Sequence, residues 1–163
     1  MNREYVARAV ATAMLVIVSP GGWAGDCKPI RAEIVSAATT AGCTSPIGLC
    51  TTGTIDGNHG LEGSTYLTTD SFAPGPDTAP NRATMFSYSG LLQISTRHGT
   101  LTTRDTGIFD PLPTGSGSFS SFDIVTGGTG KYAGFTGLLY VAGKTLPGTG
   151  QFVSTVSGTL CRP

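Results

Sequence analysis

Apolar and polar residues alternate with a period of two along most of the chain, and clusters of glycine and proline break the alternation. That pattern predicts antiparallel strands, each burying one face. It places them at about 29–38, 47–56, 61–71, 83–97, 100–109, 118–126, 135–144 and 150–161. No stretch holds the period of an ordinary helix, and no linker divides the chain. Asp56-Gly57-Asn58-His59-Gly60 predicts a hairpin loop, His98-Gly99 a two-residue turn, and Pro111–Gly117 a longer hairpin loop. Phe72–Asn81 carries Pro74, Pro76 and Pro80, and proline cannot donate to a strand ladder, so this segment reads as a loop. About eight strands in so short a chain must protect two sheet edges, and closure removes both. Glycines inside the strands (Gly53, Gly63, Gly90, Gly107, Gly137, Gly143, Gly158) favour a closed antiparallel barrel of about eight strands over a two-sheet sandwich. Tight bends need residues without side chains.

Register follows from the turns. A turn at His98-Gly99 sets Arg97 opposite Thr100, Leu92 opposite Asp105 and Ile94 opposite Thr103. A hairpin symmetric about Thr114 sets Phe109 opposite Phe119, Asp105 opposite Asp123 and Thr103 opposite Val125. Both registers gather Phe86, Tyr88, Leu92, Ile94, Leu101, Thr103, Asp105, Phe109, Phe119, Asp123 and Val125 on one face. It is the more apolar face and is predicted to be the interior. The opposite face carries Ser87, Gln93, Arg97, Thr102 and Arg104; Leu91, Phe122 and Ile124 interrupt its polarity and mark a candidate subunit interface.

The interior face holds candidate chemistry. Asp105 and Asp123 side by side among apolar residues cannot both ionise cheaply, so one carboxyl should keep a proton. Such a pair is a general acid and base in the making. Tyr88 supplies a hydroxyl nearby. Asp105, Asp123 and Tyr88 are therefore the candidate catalytic groups, and Phe86, Leu92, Ile94, Thr103, Phe109 and Phe119 the candidate ligand-binding wall. A competing expectation stands beside this one. A single bulge flips every residue beyond it, which would turn Asp105 out to a surface arginine and leave Asp123 to bond backbone amides near Gly127-Gly128.

Composition narrows the partners. Only 12% of the residues are charged and the formal net charge is zero. No basic stripe exists for nucleic acid or for an anionic membrane surface. The N-terminus reads as a secretory signal over residues 1–24: Arg3 and Arg8, a short apolar run from Ala9 to Val18, the breakers Pro20, Gly21 and Gly22, and the small residue Ala24. One barrel domain, 25–163, remains, exported to the periplasm or beyond. Its four cysteines, Cys27, Cys43, Cys50 and Cys161, suit an oxidising compartment. Four cysteines allow three pairings, and the sequence does not choose among them. Closure of a barrel through its terminal strands would bring Cys27 to Cys161 and leave Cys43 and Cys50 to close the Thr44–Leu49 loop. Neither a C-x-x-C nor a ligand-like spacing of His59 and His98 points to a metal, and no cofactor is implied. No G-x-S-x-G elbow occurs.

The most distinctive segment is Gly127-Gly128-Thr129-Gly130-Lys131-Tyr132-Ala133-Gly134-Phe135-Thr136-Gly137. It lacks the order of a phosphate-binding loop and runs into a strand pattern, Leu138-Leu139-Tyr140-Val141, so it reads as a tight turn that requires glycine. This segment resembles the allene oxide cyclase barrel superfamily, in which plant allene oxide cyclases and dirigent proteins carry a very similar stretch near their C-terminal strands. The Thr103-Arg104-Asp105 and Phe122-Asp123-Ile124 strands sit where that family places its neighbouring strands. Cys43-Thr-Ser-Pro-Ile-Gly-Leu-Cys50-Thr-Thr-Gly-Thr resembles its exported bacterial members. The resemblance implies a calycin-like barrel of eight strands with a mostly apolar cavity. It implies activities that steer cyclisation or coupling of reactive small molecules, and assembly into an oligomer. Asp105 and Asp123 are candidates for the cavity carboxylates that some members use.

Three functions are compatible with these readings. The first is a small apolar ligand held in the barrel. The second is a cofactor-free cyclase or isomerase, in which the wall folds a flexible substrate and an aspartate moves a proton. The third is a structural or interaction protein of the cell envelope, for which a filled barrel is expected.

Overall fold

The computed structural model describes residues 26–75, 85–111 and 116–163. The expected signal segment lies outside them, as does most of the proline-rich stretch after Pro74. Among the described residues there are eight strands: β1 (Cys27–Ala38), β2 (Cys50–Gly57), β3 (Gly63–Pro74), β4 (Phe86–Thr96), β5 (Gly99–Asp110), β6 (Ser118–Gly128), β7 (Thr136–Leu146) and β8 (Gln151–Cys161). Each pairs antiparallel with its neighbours in chain order, and β8 returns to β1, so the sheet is a closed barrel. Closure leaves no edge strand. Buried and exposed residues alternate along the central strands, as the period-two pattern requires.

Three expectations need correction. The β4–β5 register is displaced by two residues: Thr96 faces Gly99, Leu92 faces Thr103, Ile94 faces Leu101, and Asp105 faces Gly90. The central turn residues are Arg97 and His98. Gly99 belongs to β5, with φ at 134°, and a Cβ there would lie 2.1 Å from the Thr129 carbonyl oxygen. Its glycine serves the packing of the 127–137 segment rather than the turn. A displacement of two preserves the faces. Second, β3 runs to Pro74, and Phe72, Ala73 and Pro74 pair with Tyr88, Ser87 and Phe86 instead of starting a loop. Third, β2 begins at Cys50 and not at residue 47, because the 43–50 segment is a disulfide-closed turn.

The β5–β6 register is as expected for Asp105–Asp123, Thr103–Val125 and Phe109–Phe119. A bulge does occur, but Thr102 faces Gly127 while Thr103 faces Val125, so the extra residue is Thr126. It falls beyond both aspartates and leaves them inside. A second bulge at Thr69/Ser71 makes Asp70 the extra residue of β3. Asp70 there meets Arg104 on the outer wall, where two guanidinium nitrogens reach its carboxylate, one at 2.9 Å, and Ser89 completes the cluster.

One end of the barrel is closed by the glycine motif. A short 3-10 turn at Gly130–Tyr132 folds across it, and the Tyr132 hydroxyl donates to the Gly60 carbonyl at 2.8 Å. Tyr132 is 1% exposed and packs with Ile30, Leu61, Ile94, Leu101 and Leu160. Gly130 has φ at 56°, and a Cβ there would lie 2.4 Å from the His98 carbonyl oxygen. Only glycine fits this left-handed, crowded position. Two disulfides are formed, Cys27–Cys161 between β1 and β8, and Cys43–Cys50 across the β1–β2 loop at the other end of the barrel. Among the described residues no helix is long and apolar enough to cross a membrane.

Candidate functional site

The other half of the barrel is not filled. Several inward positions there are small: Gly90, Gly107 and Gly143, with Ser36, Ser121 and Ser154. Large side chains frame the space they leave, a cavity of about 180 Å³. Phe86, Phe109, Phe119 and Phe152 form its outer ring, with successive centroids 5.2 to 6.4 Å apart. Leu49 joins them from the Cys43–Cys50 turn, which is strapped to β3: the Ser45 hydroxyl donates to the Thr69 carbonyl, and the Thr69 amide donates to the Leu49 carbonyl at 3.1 Å. An apolar cavity of about 150 Å³ takes benzene, so this one suits a molecule slightly larger.

The floor is polar. Cross-strand pairing sets Thr69, Gly90, Asp105 and Asp123 in one row over four strands. Asp105 is 5% exposed and Asp123 1% exposed, and both border the cavity. Asp105 Oδ1, both carboxylate oxygens of Asp123, and the hydroxyls of Thr69 and Thr103 are buried and make no well-formed hydrogen bond in the protein, although Thr103 stands close enough to Asp123, and Ser121 to Asp105, to hold their carboxyls down in part. Tyr88 leans across Gly107, where a Cβ would meet its hydroxyl at 2.7 Å. Gly107 thus gives Tyr88 its place beside Ser121 and Asp105.

Burial raises both carboxyls. Asp123 is pushed up to about 8, chiefly by burial and then by the charge of Asp105. Asp105 is pushed up to about 6 by burial, opposed by hydrogen bonding from Ser121 and by its neighbours. The two titrate as a unit, so at neutral pH the pair holds one proton and one negative charge. Tyr88 is raised as well, first by burial and then by Asp105, which keeps its hydroxyl a donor. Outside, Asp70 is held below the ordinary carboxylate range, first by its hydrogen bonds to Arg104.

Of the expected site residues, Asp105, Asp123, Tyr88, Phe86, Leu92, Phe109 and Phe119 border the cavity. Ile94 and Thr103 face inward but stand in the filled part, at 1% and 0% exposure, and do not border it. Reading the sequence missed Ser121, Val141, Phe152, Ser154, Thr65 and Thr69. Ser121 was within reach, since it shares the parity of Phe119 and Asp123. The residues of β1, β2, β3, β7 and β8 were not, because their place opposite the aspartates depends on closure of the whole sheet.

Fold and site define a class: a closed antiparallel barrel of eight strands, plugged at one end and open to a small apolar pocket with an acidic floor at the other. No family model matches the chain, and no curated protein matches it.

Proposed function

We propose that this chain is an exported binding protein that takes a small apolar molecule into the open half of the barrel. The observation that carries this is the pocket itself: a cavity of about 180 Å³ kept free by inward glycines and serines and ringed by four phenylalanines. A barrel built only for stability would fill those positions, because each unfilled site forfeits dispersion contacts. Export is supported by the basic and apolar N-terminal pattern and by two disulfides, which persist in oxidising compartments. The likeness of residues 127–137 to the allene oxide cyclase superfamily agrees with a cavity-bearing barrel of this kind.

The test is titration of the folded chain with toluene, followed by NMR. Saturable shifts confined to side chains that border the cavity are expected, and Ser154→Phe, which fills it, should abolish them. Absence of saturable shifts in the parent protein would sink the reading.

The paired aspartates favour a second reading, a cofactor-free cyclase or isomerase. One protonated and one ionised carboxyl beside an apolar pocket can donate a proton at one atom of a bound substrate and accept one at another. The purely structural reading expects a filled interior and has less support. What speaks for assembly is an apolar stripe on the outer wall of β6 and β7. Phe122 and Ile124 are 55% and 57% exposed there, and Phe122 packs edge-on against Tyr140 at 5.2 Å. Such a stripe suits contact between copies.

A further inference from the structure

The wall of the pocket is apolar, so its floor decides what part of a ligand it recognises. Four buried polar atoms of residues that border the pocket make no well-formed hydrogen bond in the protein: three carboxylate oxygens and the Thr69 hydroxyl. A buried acceptor without a donor destabilises the fold, and more so when it is charged. The shared proton and the nearby hydroxyls of Thr69, Ser121 and Tyr88 offer donors to these oxygens but no positive charge. Among the described residues no cationic side chain borders the pocket to meet the remaining negative charge. Arg104, the neighbour of Asp105 in β5, points to the outer wall and spends both guanidinium nitrogens on Asp70. Lys28, Lys131 and Arg162 gather at a separate hollow beside the plugged end. Of the eight strands, β4 gives the pocket Tyr88, β5 gives Asp105 and β6 gives Asp123; among the described residues the other walls contribute no titratable side chain.

The missing partner must therefore bring positive charge, several N–H donors and an apolar body. A hard metal ion does not fit. It takes six to eight oxygens, and among the described residues no three His, Cys, Asp or Glu side chains cluster. An ammonium group does fit: it is a compact charge with three donors, matched to a floor of clustered acceptors.

Building on the cavity-binding reading, we infer that the pocket selects a small apolar primary amine, bound as its ammonium ion. Its nitrogen seats between Asp105 and Asp123 and its hydrocarbon part lies within the phenylalanine ring. Binding draws the shared proton off the pair, because the ammonium replaces it as the positive partner. The amine keeps all three of its protons, and at neutral pH, where the pair holds one proton, that proton leaves to solvent as the ligand binds.

The experiment compares three probes of one shape: 2-phenylethylamine, 2-phenylethanol and phenylacetate. Each is titrated by calorimetry into the folded, disulfide-bonded protein between pH 5 and pH 8. The amine should bind at least tenfold more tightly than the alcohol at pH 8, and phenylacetate should bind weakest. The preference should shrink toward pH 5 as both carboxyls take up protons. The heat of amine binding should vary with the buffer's ionisation enthalpy, reporting release of a proton, whereas that of the alcohol should not. Asp123→Asn and, independently, Asp105→Asn should reduce the preference to within about twofold. Equal binding of amine and alcohol by the parent protein overturns the inference and leaves the apolar-cavity reading intact. So does an amine preference that survives in both variants. Failure of all three probes to bind, together with failure of toluene, overturns both.

Discussion

The two ends of the barrel are built from the same strands by opposite rules. At the plugged end the inward residues are Ile30, Ile55, Ile94, Leu101 and Leu160, and Tyr132 closes over them with a satisfied hydroxyl. At the open end the inward positions alternate between phenylalanine and glycine or serine, and polar groups beneath them make no well-formed hydrogen bond. One end resembles an ordinary core, packed and hydrogen-bonded. The other gives up packing and leaves charge uncompensated, which is the pattern of a site that trades stability for binding. Stability and recognition are thus separated along the barrel axis, and single substitutions can tell them apart.

The largest contrast should come from truncating one large side chain at each end. Leu101→Ala at the plugged end removes a fully buried side chain and should cost about 2–5 kcal/mol. Phe119→Ala at the open end borders existing space and should cost less than half as much while weakening toluene binding strongly. Urea denaturation and NMR titration of both variants check this. Equal stability losses would mean the open end is as well packed as the plug.

The next effect is the pH dependence of stability. Asp105 and Asp123 have folded-state pKa values above their unfolded ones, so the folded state holds more protons between about pH 4 and pH 8. Their contribution is fully present below the unfolded pKa and is lost as pH rises through the folded values. Stability should therefore fall from pH 5 to pH 8.5. Asp123→Asn should flatten the fall and gain on the order of 3 kcal/mol at pH 8.5. Thermal unfolding across that range reads the slope; a parent protein whose stability rises over the same range would show that the pair is not protonated as argued.

The smallest contrast uses glycine. Gly130 in the plug and Gly148 in the β7–β8 turn at the open end both have positive φ, 56° and 73°. A Cβ meets the His98 carbonyl oxygen at 2.4 Å from Gly130 and nothing within 4 Å from Gly148. Gly148→Ala should cost only the left-handed backbone term, about 1 kcal/mol. Gly130→Ala should cost that and the collision, roughly 2 kcal/mol or more. Equal losses would mean the plug yields locally.

Much of this was legible in the sequence because strands write themselves locally. Alternation along residues 86–125 sufficed to put Asp105 opposite Asp123 and both inside, and even a two-residue error in the β4–β5 register could not reverse the face. The glycine motif announced a tight turn in the same way. Ile94 and Thr103 show where local reading ends. They share the inward face of the pocket residues, but depth along the axis decides whether a side chain borders space or fills it, and depth depends on which residues the other strands bring to that level. Asp70 shows the same limit: a bulge in β3 turns it toward Arg104, and nothing in the alternation foretells a bulge.

By itself, the sequence determined the all-β class, the inward face of the central strands and the adjacency of the two aspartates, because each follows from period-two geometry between neighbours in the chain. Only the tertiary structure decided that β8 closes on β1, that Cys27 meets Cys161, and that one half of the interior is full while the other is open. Those outcomes depend on contacts between residues distant in sequence, where the volume left inside is set by all eight strands together.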